Sequence, residues 1–141
     1  MYEILSHKLF LIHLIQSLIG MFLSIALLQS SVDKLFDRKG NLEWLSDHFT
    51  NTILGNYVPV LLLFITVIEV LSGVVLFLGS LVNILISNSN LLAIGFLLSS
   101  FNFISLFLGQ RIAKDYAGAA VIVNYFILNI LGLLSLLFIF Y

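Results

Sequence analysis

Long apolar stretches separated by short polar ones dominate the pattern of the chain. Four stretches approach or exceed the roughly 20 apolar residues that a helix needs to cross the hydrocarbon core of a bilayer. They cover residues 9–31, 58–80, 91–109 and 118–141. Because membrane β-strands are only about 9–11 residues long and alternate in polarity, these stretches predict helices. The pattern therefore predicts an all-α membrane protein with four transmembrane helices.

The polar links between these stretches predict how the spans are arranged. Residues 87–90 read Ser-Asn-Ser-Asn and join the second span to the third, while the short charged link 110–116 joins the third to the fourth. Short links favour antiparallel neighbours. Pro59 suits the first turn of the second span. We therefore expect one domain over residues 1–141, a four-helix bundle.

The link between the first and second spans is longer and predicts a helix of its own. Gly40 is expected to break the chain, Asn41 to cap a helix over residues 41–54, and Gly55 to end it. Trp44 would lie at headgroup depth, as interfacial aromatic residues do. One face of this helix is apolar, so we predict that it is amphipathic and lies at the membrane surface rather than forming an ordinary loop helix. That face comprises Leu42, Leu45, Phe49 and Ile53.

Composition agrees with a lipid environment and excludes several kinds of chemistry. The chain is 61% hydrophobic and 9% charged, against about 25% charged residues in ordinary soluble domains. It has no cysteine, so thiolate nucleophiles and cysteine metal sites are excluded. His7, His13 and His48 show no metal-ligand spacing, so we assign no metal. No basic run points to nucleic acid, and no cofactor is identifiable from composition or motifs.

Glu69 is the residue that the apolar pattern does not explain. It lies in the middle of the second span, where a charge costs roughly 2.5–3.5 kcal/mol on insertion scales. We therefore expect it to face the bundle interior. Counting helical rise from the charged links puts Asn102, Asn129 and Ser24 at a similar depth. These residues are candidates for one polar layer, although the asparagines are also typical of interhelical hydrogen bonds with no further role.

Basic residues are distributed unevenly between the two ends of the predicted bundle. Five of them fall in the two charged links and one lies at the other end. The positive-inside rule would place those links in the cytoplasm. The five are Lys34, Arg38, Lys39, Arg111 and Lys114, and the sixth is Lys8.

Three segments, taken in order, resemble the DoxX family of small four-span membrane proteins. The first is Asp33-Lys34-Leu35-Phe36, just after the first span. The second is Pro59 followed by Glu69-Val70-Leu71-Ser72-Gly73-Val74-Val75-Leu76-Phe77-Leu78-Gly79. The third and weaker match is Asp115-Tyr116-Ala117-Gly118. The resemblance covers most of the chain.

The resemblance implies a bacterial inner-membrane protein in which Lys34 and Glu69 are the lysine and the acid of the family. The family is similar to the small subunit of thiosulfate:quinone oxidoreductase, and more distant relatives act as membrane chaperones or cargo receptors. It also implies that the lysine-bearing link lies outside and both termini in the cytoplasm, opposite to the charge count. We adopt the orientation that the resemblance implies.

Three functions remain open at this point. The first is a non-catalytic membrane subunit or assembly factor that docks other membrane proteins or a redox enzyme, with the bilayer and either those proteins or further copies of the chain as partners. The second is a subunit of a quinone-linked oxidoreductase, with Glu69 and Lys34 as proton donors to a bound quinone. The third is a small transporter or proton pathway through Glu69. No catalytic residue can be assigned.

Overall fold

The computed structural model describes residues 2–138, and this part of the chain is helical throughout, with short connections. The α-helices are α1 (Tyr2–Phe36), α2 (Arg38–Phe49), α3 (Val58–Ile86), α4 (Asn90–Ile112) and α5 (Tyr116–Leu137), and a 3-10 helix (Gly55–Tyr57) precedes α3. All except α2 and the 3-10 helix are long and apolar enough to cross a membrane. The predicted fold class, an all-α bundle with four membrane-spanning helices, is confirmed.

Three of the long helices, α1, α3 and α4, extend beyond the apolar stretches that predicted them, whereas α5 begins two residues before its stretch and ends at Leu137. α3 continues to Ile86 and ends where Ser87 takes a left-handed conformation, with φ of 52°. Pro59 lies in the first turn of α3, as predicted. Backbone hydrogen bonding can continue through polar residues at the ends of a span, so the apolar pattern alone sets the bounds too tightly. The predicted end of the fourth span at Tyr141 lies outside the described residues.

The surface helix α2 begins earlier than predicted, because its cap is Asp37 and not Asn41. The Asp37 carboxylate accepts a hydrogen bond from the Gly40 amide at 3.1 Å, which satisfies one of the free donors of the first turn. Gly40 therefore lies inside the helix, where its missing Cβ leaves room for that carboxylate. The expected break at Gly40 is wrong.

The same helix also ends earlier than predicted, at Phe49. Phe49 is buried and Leu45 is half-buried, so this part of the apolar face of α2 packs against the bundle. Ile53 lies beyond the helix and is 80% exposed, so its assignment to that face is wrong. Trp44 is exposed and stacks on His48, with 4.6 Å between ring centroids. Its headgroup depth stays a prediction.

The bundle is built from antiparallel neighbours in chain order, with α5 returning beside α1. Glycines bring α3 and α4 close together. A Cβ at Gly79 would lie 2.7 Å from the Leu92 backbone, and one at Gly95 would lie 3.0 Å from the Leu76 backbone. This register puts Glu69 and Asn102 at the same level of the two helices. The buried apolar core comprises Leu23, Leu27, Leu76, Leu92, Phe96 and Phe103.

Candidate functional site

An ion pair between Lys34 and Glu69 lies inside the bundle and joins α1 to α3. The Lys34 ammonium is 3.1 Å from Oε1 and 3.0 Å from Oε2 of Glu69. The Glu69 side chain is 1% exposed and that of Lys34 is 17% exposed. Lys34 lies in the last turn of α1, and side chains on a helix point towards its N-terminus, so the lysine reaches back to the level of the acid.

Ser30 completes this ion pair. Its hydroxyl accepts a hydrogen bond from the Lys34 ammonium at 2.6 Å and donates one to Glu69 Oε1 at 3.1 Å. Buried pairs are maintained when further hydrogen bonds satisfy their remaining donors and acceptors. Sequence reasoning did not select Ser30, although its place one helical turn before Lys34 puts both side chains on one face.

Asn102 has no hydrogen-bond partner although it is fully buried. Neither its Nδ2 nor its Oδ1 is hydrogen-bonded, and Glu69 Oε2 likewise receives no hydrogen bond of acceptable geometry, although the Lys34 charge is close to it. Across residues 2–138, these three atoms are the buried side-chain nitrogens and oxygens left unsatisfied. Glu69 and Asn102 lie at the same level of two neighbouring helices, α3 and α4.

Asn129 and Ser24 contribute to hydrogen bonds elsewhere in the bundle. Asn129 accepts from the Ser99 hydroxyl at 2.6 Å and donates to Ser100 at 2.7 Å, which ties α5 to α4. The Ser24 hydroxyl donates to the Gly73 carbonyl at 2.7 Å, which ties α1 to α3. The structure therefore does not bring the four candidates of the predicted layer together. Depth was a poor guide because the direction of each side chain around its helix decides which groups meet.

A second polar cluster, at the opposite end of the bundle, was missed because the second span was predicted to stop at residue 80. His13 Nδ1 lies 2.8 Å from Asn83 Oδ1, and Asn83 Nδ2 donates to the His13 carbonyl at 3.0 Å and to the Ser17 hydroxyl at 3.0 Å. Gln16 donates to the Ser135 carbonyl at 3.0 Å. Its members satisfy one another, so this cluster fastens α1 to α3 and α5.

A cavity of about 290 Å³ lies between α3 and α4, beneath α2. That volume is at the lower end of the range for small-molecule sites, about 300–1,000 Å³. Its lining is mostly apolar, with polar side chains from Lys34, Ser105 and Gln110. Gln110 Oε1 lies 3.0 Å from His48 Nε2, which connects α4 to the surface helix. Lys34, one member of the ion pair, is thus also part of the cavity wall.

An open groove runs between α1 and α5 on the outside of the bundle. Asn124 lies in it, exposed and without a hydrogen-bond partner among residues 2–138. Only 11% of the 18-residue apolar segment of α5 is buried inside the bundle, against 33–39% for the corresponding segments of the other three spans. α5 is thus the span that this chain covers least. The groove is lined by Phe22, Val121, Asn124, Tyr125, Ile127, Leu128 and Leu131.

Replacing Asn102 with leucine is expected to stabilise the purified protein. Leucine is similar in size, and the change removes two buried polar atoms that have no partner, so we expect a gain of about 1 kcal/mol. Thermal unfolding in detergent measures this gain. Asn129→Leu is the matched control on α5, and it should lower stability because the hydrogen bonds of Asn129 with Ser99, Ser100 and the Phe96 carbonyl, which join α5 to α4, would be lost. An unfolding temperature that falls equally in both variants would contradict the assignment of Asn102 as unsatisfied.

The fold and these sites define a four-span helical membrane bundle with a Lys-Glu ion pair in its interior and a cavity beside that pair. Comparison of the chain with protein-family models, with curated proteins and with solved structures finds no match. The resemblance to the DoxX family stays a prediction that depends on the three sequence segments described above.

Proposed function

We propose that this chain is a non-catalytic membrane subunit or assembly factor of the DoxX type, which holds a transmembrane helix of another membrane protein in the α1–α5 groove. The observation that supports the proposal is Asn124. It lies about 12 Å along α5 from the start of that helix, counting 1.5 Å per residue, and its amide faces outwards. Acyl chains offer an amide no hydrogen bond, whereas a polar residue on a neighbouring helix does.

The shape of the groove favours a helix of a different protein over a second copy of this chain. Two identical subunits related by a two-fold axis bring the same patch together with itself. A concave groove placed against its own copy leaves a gap, and a single convex helix fills it. The partner helix we propose carries a polar residue opposite Asn124 and an otherwise apolar surface that matches Phe22 and Ile127.

The proposed location is the bacterial inner membrane, with both termini in the cytoplasm. This orientation follows the resemblance and places α2 and the α4–α5 link outside. The Lys34–Glu69 pair then lies towards the outer half of the membrane, and its role in this proposal is to hold α1 against α3 so that the groove keeps its shape.

The quinone-linked and transport alternatives stay predictions, and the geometry favours neither of them. For quinone chemistry, Lys34 and Glu69 would have to leave their mutual ion pair before either donated a proton to a ligand. For transport, Glu69 would have to leave the same pair in each cycle. The docking role leaves the ion pair intact. Of the three functions, the docking role is the one that explains why the amide of Asn124 faces outwards.

Photocrosslinking in native membranes tests the docking role. With benzoylphenylalanine at position 121, inside the groove, we expect a crosslink to a transmembrane peptide of another protein, and with the same group at position 123, outside it, none. Asn124→Leu should lower the yield of the crosslink from position 121 about threefold to tenfold, because the loss of one interhelical hydrogen bond weakens binding by about that factor. Val123→Leu is the matched control and should leave it unchanged. Crosslinks only to lipid, or to a second copy of the chain, would contradict the proposal.

A further inference from the structure

Glu69 and Asn102, which carry the three unsatisfied atoms, each lie one helical turn from a residue that lines the cavity between α3 and α4. Ile65 and Ser105 line the cavity, and each is one helical turn from Glu69 or Asn102 on its own helix. Lys34 joins the two regions, because it lines the cavity and contacts both carboxylate oxygens of Glu69. The apolar cavity therefore ends near buried side-chain atoms that take part in no hydrogen bond within the described chain, although the Lys34 charge offsets that of Glu69 Oε2.

The apolar part of this cavity is reached from the membrane side of the bundle. Phe64 and Leu108 line it and are 46% and 58% exposed on the outer faces of α3 and α4. Phe49 of the surface helix closes its top. Gly109 leaves space in its wall, since a Cβ there would meet only the Phe49 ring at 3.7 Å. These features suit a hydrocarbon chain that enters from the bilayer.

The charges around the cavity favour the binding of an uncharged ligand over a charged one. Lys34 is the charged residue in its described lining, and Glu69 already neutralises it. A carboxylate or an ammonium entering this apolar space would find no free opposite charge to offset its desolvation. A neutral ligand avoids that cost.

The unsatisfied atoms specify the polar end of such a ligand. Glu69 Oε2 and Asn102 Oδ1 accept hydrogen bonds, and Asn102 Nδ2 donates them. A hydroxyl group does both. We propose that this cavity binds an uncharged, single-chain amphiphile with a hydroxyl-bearing head, with the head at the end of the cavity nearest Glu69 and Asn102 and the chain between α3 and α4. This site does not depend on the docking role proposed above.

A photoreactive lipid alcohol tests the site directly. Purified protein in nanodiscs is labelled with hexadecanol carrying a mid-chain diazirine, and the labelled peptides are mapped by mass spectrometry. We expect labels on cavity-lining segments of α3 and α4, competed by plain hexadecanol. Asn102→Leu should weaken competition about tenfold, the effect of losing hydrogen bonds to a buried polar group. Gly109→Leu, which fills the cavity, should abolish the labelling of those segments.

Two controls separate this site from general lipid contact. Ile104→Leu changes a lipid-facing residue of the same helix, 53% exposed, and should label as the unaltered protein does. The corresponding diazirine fatty acid, which is charged, should label the cavity segments at least tenfold less. Because Asn102→Leu is also expected to raise the unfolding temperature, its loss of labelling is distinct from unfolding. Equal labelling by alcohol and acid, or labelling that Gly109→Leu leaves unchanged, would overturn the proposal.

Discussion

Replacing Glu69 with leucine is expected to destabilise the bundle by about 3–5 kcal/mol, the cost of removing one member of a buried ion pair. The ammonium of Lys34, which is 17% exposed, would lose both carboxylate oxygens and retain only Ser30 as a partner. Unfolding in mixed micelles, titrated with a denaturing detergent, gives the free energy of unfolding for each variant.

The Lys39–Glu43 pair provides the matched control. Its charged atoms are 4.0 Å apart, and the two side chains are 90% and 68% exposed. Exposed pairs of this kind contribute little, so Glu43→Leu should leave the unfolding free energy essentially unchanged. If Glu69→Leu proved as harmless as Glu43→Leu, the pair in the bundle interior would have no structural role.

Replacing Gly79 with alanine is expected to cost about 1–3 kcal/mol, the typical penalty of overpacking. The added methyl group would lie 2.7 Å from both Cα and N of Leu92. Because these are backbone atoms of α4, they cannot turn aside as a side chain would, and the two helices have to separate. The same unfolding titration measures the loss.

Gly109 on α4 is the matched control for that substitution. A methyl group there would make only an ordinary contact with Phe49 at 3.7 Å. Gly109→Ala should therefore be neutral or stabilising by up to about 1 kcal/mol, since alanine is the better helix former. Equal losses at Gly79 and Gly109 would mean that α3 and α4 are not in close contact at Leu92.

The apolar pattern was sufficient to predict the four spans because the length and hydropathy of a segment decide whether it crosses a bilayer. It was less informative at the helix ends. The start of α2 depends on one carboxylate, that of Asp37, reaching the Gly40 amide, and a run of polar residues offers several equally good caps. The end of α3 is set by the left-handed conformation of Ser87, which no hydropathy pattern contains.

The site was predicted in part, for a related reason. Glu69 could be selected because a charge in hydrocarbon is costly, and Lys34 could be selected from the resemblance. The residues alone did not show that the two side chains meet. Lys34 lies just outside the apolar stretch of the first span, and the resemblance, not its depth, placed it in the candidate polar site with Glu69. The long side chain of Lys34 covers the distance to Glu69 along the last turn of α1. Asn129 and Ser24 are at suitable depths but face other neighbours.

The central claim is that Lys34 and Glu69 form one interacting pair inside the membrane bundle. A double-mutant cycle with Lys34→Met and Glu69→Leu tests it most directly, because it isolates the interaction between the two side chains. We predict a coupling free energy of about 2–3 kcal/mol, so that the double variant loses about that much less stability than the sum of the two single losses. Strictly additive effects of the two substitutions would contradict the claim.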